Sequence, residues 1–316
     1  MQQQATRAHL RQLQLGKQEH PLRGTVLAEV HARPYESLQG PLRLSHVALV
    51  TGPDGALVEA EHRHLAELCR LHGVEPPSLE ASHFSRDLGP FRLRWERHQE
   101  FSTYTFFCRG VEREPFSEPA IQLLPAEWLA GLPGQLLVAT HLVLEQRGRP
   151  PRELRELESF FVAESLAGSE VARGAARAFT DFRLHEDGFS RFLVEDQGLA
   201  PRQAGRLVQR LLEVETYRLM ALLAFPLARQ IGPEMARLEQ RLEALTSRLL
   251  ESRRLDDDQQ LLQSLSALAA RVEQLMAQSS FRLSAAQAYD QLIQHRIERL
   301  REQRIHDLQT MGNFLE

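Results

Sequence analysis

The chain has 316 residues, of which 42% are hydrophobic and 25% are charged, with a formal net charge of −4. These values are typical of a globular protein long enough for two domains, and they exclude a disordered chain. The net charge gives no general electrostatic basis for binding nucleic acid, which usually requires a basic patch. The two cysteines, Cys69 and Cys108, exclude a disulfide framework or a thiolate zinc site and fit a reducing cytosol.

Neither end of the chain carries a recognisable targeting or membrane segment. Residues 1–19 lack the apolar run of a secretory signal and are expected to form an N-terminal tail or helix. The longest apolar run, 219–228, is interrupted by Pro226 and is about half the roughly 20 residues that a membrane span needs. Apolar residues continue to Leu315, so we expect a chain cut short of its natural end.

The first polar strand is predicted in EVHARPYE, residues 29–36. Because side chains alternate along a strand, Glu29, His31 and Arg33 share one face. An acid, an imidazole and a guanidinium on one face are candidate ligand-binding groups. Pro34 has no N–H to donate, so the strand must end there or form a sheet edge.

Mixed α/β structure is predicted for the next part of the chain. Residues 42–50 (LRLSHVALV) form a strand candidate, and an amphipathic helix follows that ends at Gly73. This helix is expected to bury Leu57, Leu65, Leu68 and Leu71. The aromatic segment 91–110 predicts two strands, and 136–144 predicts a strand buried on both faces.

A β-hairpin is predicted around Asp187-Gly188, a pair that favours a two-residue turn. One arm would place Asp181, Arg183 and His185 on a shared face. Together these elements predict a head domain over residues 20–198, of α/β or α+β class with a mixed sheet. No glycine-rich nucleotide fingerprint is present to require a dinucleotide-binding fold.

An all-α region is predicted for residues 199–316. A helix starts at Pro201, reaches about Gln230 and bends near Pro226, and Gly232-Pro233 ends it. Leucines then recur at spacings of three and four in two segments joined near Asp256, which predicts a long antiparallel helical hairpin. Residues 280–316 are predicted to form one long terminal stalk helix.

Three strand faces carry similar polar chemistry and supply the candidate binding residues. The segment 94–100 places Arg94, Glu96, His98 and Glu100 on one face, in addition to the faces at Glu29 and Asp181. Arginine binds anions and histidine transfers protons, so these faces can be a ligand site. Cross-strand ion pairs on a solvated sheet face produce the same pattern, and we favour that interpretation.

Metal and catalytic sites have little support. The sequence has thirteen histidines, but His62 and His64 are two apart on a helix and do not face each other. Convergence of His20, His31 and His46 cannot be read from the sequence, so a metal site stays open. No esterase elbow or phosphate-binding loop occurs, and Cys69 and Cys108 lie in apolar segments typical of the core. We therefore assign no catalytic residue and no cofactor, and an enzyme is not favoured.

Several segments together resemble a bacterial membrane-anchored family, domain of unknown function 3422. They are HPLRGTVLAEVHARPYE, LRLSHVAL, RWERHQEFSTYTFF, TDFRLHEDGFSRFLVED, ETYRLMALLAFPLAR and RIERLREQRIHDLQTMGNFLE. The resemblance implies that the last helix continues into hydrophobic segments in the inner membrane, beyond this chain. The family has no established activity to transfer.

The resemblance and the predicted architecture give two functional hypotheses. The first is a non-enzymatic scaffold or sensor, the cytoplasmic head and stalk of a membrane-anchored homo-oligomer that binds no nucleic acid. Its layout is similar to that of CorA-type divalent-cation transporters, although we interpret Met311-Gly312-Asn313 as a coincidental match to their pore signature. The alternative is a module that binds a small molecule or a divalent cation, and an enzyme using the polar faces is less favoured.

Overall fold

The computed structural model describes residues 20–23, 35–52, 55–110, 114–251 and 255–316. The chain forms two compact units, residues 1–35 and residues 36–316, and every element named below belongs to the second unit. The predicted polar strand with Glu29, His31 and Arg33 lies outside the described residues.

Nine strands in the described residues form one mixed sheet, as predicted. They are β1 (Leu42–Val50), β2 (His83–Asp87), β3 (Arg92–Arg97), β4 (Phe101–Arg109), β5 (Gln135–Leu144), β6 (Ala167–Val171), β7 (Ala176–Thr180), β8 (Ser190–Asp196) and β9 (Gln303–Arg304). Their order is β2-β3-β4-β1-β5-β8-β7-β6-β9. The β5–β8 pair is parallel, and the other pairs described are antiparallel.

One face of the sheet is covered by short helices. They are α1 (Val58–Leu71), α2 (Ala126–Ala130) and α3 (Leu154–Glu158). Helix α1 buries Leu65 and Leu68 completely, together with Cys69. The prediction was wrong for Leu71, which is 62% exposed in the last turn of the helix, beside the exposed C-terminal end. Cys108 is also buried, so both cysteines lie in the core as predicted.

The opposite face is covered by α4 (Pro201–Leu222) and by the second half of a much longer helix. Pro201 lies in the first turn of α4, as predicted. A Cβ atom at Gly205 would lie 1.7 Å from the carbonyl oxygen of Glu36, so only glycine lets α4 approach that segment so closely. The chain leaves the helix at Leu223 and Ala224, just before Pro226, where the bend was predicted.

Two long helices project from the head as the predicted hairpin. They are α5 (Phe225–Glu251) and α6 (Leu255–Leu300), the latter about 69 Å long at 1.5 Å per residue. Leu238 and Leu245 of α5 pack against leucines of α6 near its start. The prediction that Gly232-Pro233 ends a helix was wrong, because α5 continues through Pro233. Packing of the apolar face on α6 outweighs the one hydrogen bond that proline removes.

The prediction of one terminal helix over 280–316 was wrong. Helix α6 starts at Leu255 and ends at Leu300, where Arg301 takes a left-handed conformation with φ of 53°. The chain then adds β9 to the edge of the sheet at β6 and ends in α7 (Met311–Leu315). Leu300 and Met311 are buried in the core between α4 and the sheet, which turns this segment back onto the head. With this correction, the predicted fold class, a mixed-sheet head followed by a long helical hairpin, is confirmed.

Candidate functional site

The buried Arg94 forms an ion pair with the partly buried Glu96 on the face of the sheet that α4 covers. The Arg94 guanidinium lies 3.0 Å from a Glu96 carboxylate oxygen and donates another hydrogen bond of 3.2 Å to Gln209. Burial alone would raise the pKa of Glu96, but Arg94, assisted by His98 and His83, holds it below its usual value. The face predicted to be solvated is therefore an interior one, and α4 covers it.

A chain of polar contacts continues from Arg94 to α6. Gln209 donates to a carboxylate oxygen of Glu213 at 2.8 Å, and the other Glu213 oxygen accepts from Arg296 of α6. These bonds join β3, α4 and α6 in one network. A partly buried polar network of this kind orients the helices on the sheet.

His46 belongs to the same interior layer. Its two ring nitrogens lie 2.8 Å from the Thr105 hydroxyl and 3.1 Å from the Thr216 hydroxyl. Burial lowers the pKa of His46 to about 4, so the ring is neutral at pH 7. Both nitrogens have protein partners, which makes His46 a structural link between β1, β4 and α4.

The other two members of the predicted face lie beyond the end of β3. His98 stacks on Phe101, with ring centroids 4.3 Å apart. The buried Glu100 carboxylate accepts from Arg282 at 2.8 and 3.0 Å and from the Tyr289 hydroxyl at 2.6 Å. Glu100 therefore fastens the head to α6.

Asp181, Arg183 and His185 lie in a loop and not on a strand. Strands β7 and β8 pair as predicted, but β7 ends at Thr180, so nine residues rather than two connect them. The buried Asp181 accepts from the backbone N–H of Val162 and Arg183 and lies 3.1 Å from a His185 ring nitrogen. One carboxylate thus organises the loop, and the predicted shared strand face does not form.

The two described sets of predicted residues lie far apart. Four strands separate β3 from β7, which corresponds to about 24 Å at the usual strand spacing. Arg94, Glu96 and His98 therefore do not converge with Asp181, Arg183 and His185 on one pocket.

A different cluster of charges converges at a place that the sequence patterns did not indicate. A cleft of about 230 Å³ opens between the β6–β7 turn, α4 and the end of α6; we call it the arginine pocket. It is lined by Ala172, Arg173, Gln203, Arg206, Leu207, Arg210, Arg299 and Arg301. Five arginines from three regions of the chain thus line one small space, and none of the described residues that line it is acidic.

Local structure explains how the residues that line the pocket are positioned. Gln203, Arg206 and Arg210 follow at spacings of three and four, so they share one face of α4. The Arg210 guanidinium donates to the Arg299 carbonyl oxygen at 3.1 Å, and the Ala172 N–H donates to the Leu300 carbonyl oxygen at 2.9 Å. These bonds hold α4 and the β6–β7 turn against the end of α6.

The backbone of the pocket is held in an unfavourable conformation. Ala172, Arg173 and Arg301 have φ of 55°, 65° and 53°, values that side chains with a Cβ rarely adopt. They account for three of the five non-glycine residues with positive φ in the described part of the chain. Such conformations cluster at binding sites, where the surrounding structure enforces them.

The electrostatics of the arginine pocket favour an anion. Like charges four apart on a helix repel, as at Arg206 and Arg210. Within the described ranges, no carboxylate forms an ion pair with four of the guanidinium groups, those of Arg173, Arg206, Arg299 and Arg301. Guanidinium groups bind phosphate and carboxylate oxygens through paired N–H bonds, and they stay charged at any physiological pH.

Sequence reasoning missed this pocket because its residues span positions 172 to 301. The local signal was the pair Arg206 and Arg210, four apart on a predicted helix.

A larger cleft of about 720 Å³ lies at the start of β1, but its lining contains both acidic and basic residues. In that cleft Glu36 is already bound, by Ser85 at 2.5 Å and by Arg92 at 3.2 Å.

Neither a cluster of metal ligands nor a helix able to cross a membrane occurs among the described residues. No group of three or more histidine, cysteine, aspartate or glutamate side chains there is placed to hold a metal ion. None of the helices described combines the length and the apolar character needed to cross a membrane.

Comparison with known proteins gives one match. A family described as "Protein of unknown function (DUF3422)" matches residues 18–316, which is nearly the whole chain. No curated protein and no solved structure matches the chain.

Proposed function

We propose that this chain, which belongs to the DUF3422 family of proteins of unknown function, is a non-enzymatic sensor of a small phosphate-bearing anion. The presence of five arginines in the lining of the arginine pocket carries this proposal. An anion there would offset their mutual repulsion, which the fold otherwise has to overcome.

The chemistry of the pocket favours binding over catalysis. Its lining consists of arginine, glutamine, alanine and leucine side chains. Arginine does not release its proton in proteins, so it serves neither as a general base nor as a nucleophile. The lining can hold and neutralise a ligand, and it contains no group suited to attack one.

A phosphate group fits the pocket better than a divalent cation or a single carboxylate. Five positive groups around about 230 Å³ favour a compact ligand with two or more negative charges. The same charges repel a cation, so the cation-binding alternative loses support at this site. The phosphate can be free, or it can be the headgroup of an anionic lipid.

Helix α6 gives the protein a route for a signal. Arg299 lies in its last turn, and the helix runs from the arginine pocket past the head to the hairpin. A ligand that pulls Arg299 towards Arg206 favours one position of α6 against α4. The sensor function consists of this preference for one position of α6, because a ligand shifts the equilibrium between two positions of the helix by the difference in its affinity for them.

The family resemblance supports a place for this sensor. It implies attachment to the cytoplasmic face of the bacterial inner membrane through segments outside this chain, and we include that attachment in the proposal. Fractionation of the natural protein in its own cell tests it. Recovery in the soluble fraction without detergent contradicts it.

Thermal unfolding with added anions tests the proposed ligand. Inorganic phosphate and diphosphate are compared with chloride at constant ionic strength, and a ligand at ten times its Kd stabilises by about 1.4 kcal/mol. Arg206→Gln and Arg299→Gln should each reduce the shift in Tm, while Arg237→Gln, an exposed arginine on α5, should not. An equal shift in Arg206→Gln overturns the proposal, and so does the absence of any shift combined with the absence of binding to anionic vesicles.

Vesicle binding separates the two sources of phosphate. Sedimentation with phosphatidic acid vesicles, against phosphatidylcholine vesicles, measures recognition of a lipid headgroup. Binding that Arg206→Gln abolishes, with no Tm shift from free phosphate, assigns the pocket to a lipid. The reverse result assigns it to a soluble ligand.

A further inference from the structure

The projecting part of α6 carries a second apolar stripe beside its contact with α5. The buried and half-buried positions recur at spacings of three and four, and they are Leu261, Leu265, Leu268, Val272, Leu275 and Ser279. The first three of them pack against α5. Four exposed residues lie next to them, seven apart, and they are Leu262, Ala269, Met276 and Leu283. Leu262 and Met276 are 65% and 62% exposed. We call these four residues the α6 stripe.

The pattern is wider than a two-helix hairpin needs. A pair of helices buries two positions in every seven, and a third apolar position is typical of a helix in a larger bundle. Helix α5, through Leu238 and Leu245, covers the two buried positions of each seven-residue repeat at the start of α6. In the part of the chain that the structure describes, the α6 stripe remains exposed.

The same surface is poor in charge. From Gln259 to Phe281, α6 has two charged residues, Arg271 and Glu273, whereas the 27 residues of α5 have eight. Arg271 is already paired with Glu234 of α5 at 2.5 Å. Depletion of charge is the compositional mark of the centre of a protein interface. Two such surfaces can approach without electrostatic repulsion.

The side chains of the α6 stripe are complementary in size to those of a second α6 stripe that runs in the opposite direction. In an antiparallel pair of α6 helices, Ala269 can lie opposite Met276 of a second copy, and Met276 opposite Ala269. The same register sets Leu262 against Leu283 at both ends. A small side chain thus packs against a large one at the centre, and leucines pack against leucines at both ends. Each contact occurs twice with the two copies exchanged, as a twofold interface requires.

This register also determines where the two head domains lie. Arg282 binds Glu100 of the head, so Leu283 lies at the head end of the free helix, and Leu262 lies near the hairpin tip. Antiparallel overlap of the two stripes therefore places the heads at opposite ends.

We propose that the α6 stripe docks on the same stripe of a second copy, so that two hairpins form an antiparallel four-helix bundle. This inference does not depend on the anion site.

Light scattering of the whole chain tests the dimer. The expected mass is that of two chains, and Met276→Glu should return it to one because it buries an unpaired charge. Gln274→Glu, an exposed residue outside the stripe, is the matched control and should stay dimeric. Unchanged thermal unfolding at low concentration shows that the exposed substitution leaves the fold intact. A single-chain mass at every concentration overturns the proposal and leaves the stripe to another protein.

Disulfide trapping tests the register. Ala269→Cys and Met276→Cys chains are prepared separately, and the native Cys69 and Cys108 are buried. Mixing the two should give a cross-linked pair under mild oxidation. Either variant alone should not, because the equivalent residues are about 10 Å apart along the helix axis, beyond disulfide reach. Efficient cross-linking of either variant alone overturns the antiparallel register.

Discussion

The Arg210 guanidinium donates a hydrogen bond of 3.1 Å to the carbonyl oxygen of Arg299, joining α4 to the last turn of α6 across 89 positions of sequence. The bond satisfies a carbonyl that the end of the helix leaves without an intrahelical partner. It also places both residues at the edge of the arginine pocket. Fold and proposed site thus depend on the same contact.

Replacing Arg173 should separate stability from anion binding. Arg173→Gly relieves a left-handed conformation with φ of 65° and should raise the free energy of unfolding by about 0.5–1 kcal/mol. It also removes one of five guanidinium groups, so the Tm shift with phosphate should shrink. Denaturant unfolding and thermal shift measure the two effects.

Arg173→Asn is the second variant, because asparagine tolerates this conformation without the freedom of glycine. It should lose anion binding to the same extent. If Arg173→Gly lowered stability and kept the full phosphate response, both the strain and the role of this arginine would be refuted.

Removing the Glu100 carboxylate should destabilise the protein strongly. Glu100→Gln leaves Arg282, whose side chain is 18% exposed, without its charge partner, and the expected loss is about 3 kcal/mol. Glu234→Gln is the matched control, since its ion pair with Arg271 is 31–40% exposed and should contribute under about 1 kcal/mol. Urea unfolding at pH 7 measures both values. Equal losses would show that the Glu100 contacts do not fasten α6 to the head.

The buried His46 predicts a loss of stability in mild acid. Its pKa is about 4 in the folded protein against 6.5 for the free side chain, so the unfolded chain binds more protons between these values. As far as His46 determines it, the free energy of unfolding should therefore have its highest value above pH 6.5 and fall by a few kcal/mol as the pH drops towards 4. His46→Gln should flatten this part of the curve, and the exposed His306→Gln should not. Identical curves for His46→Gln and the parent would contradict the prediction.

Periodic features could be predicted from the sequence, and long-range ones could not. Strand β1 has the predicted ends, Leu42 and Val50, and the spacing of leucines such as Leu245 indicated the hairpin, because a local repeat reports the buried face of one element. The end of α6 at Leu300 was missed, since it depends on burial against the sheet.

The candidate site shows the same limit. Arg94 and Glu96 were correctly placed on one face of a strand, but alternation does not tell which layer covers that face. Arg173, Arg206 and Arg299 meet only because β6–β7, α4 and α6 pack together. No spacing between residues so far apart in sequence encodes that meeting.

Glu61 predicts the opposite pH dependence to that of His46. Its carboxylate is 1% exposed and has no hydrogen-bond partner within bonding distance among the described residues. Burial raises the pKa of Glu61, while the nearby Ser102 hydroxyl and Arg97 guanidinium lower it, and burial prevails. The folded state therefore holds this proton more tightly, so the contribution of Glu61 is most favourable in acid and is lost as the pH rises above about 4.5 through the folded pKa.

Glu61→Gln should remove this penalty because its amide does not ionise. The variant should be more stable than the parent by about 1 kcal/mol at pH 7, and the difference should vanish near pH 4. Glu59→Gln, on the exposed side of α1, is the control and should give a small difference at both values. Free energies of unfolding from urea titrations between pH 4 and 8 measure the trend. A gain that is the same at pH 4 and pH 7 would show that folding does not raise the pKa of Glu61, because only a difference in pKa between the folded and unfolded states makes this contribution depend on pH.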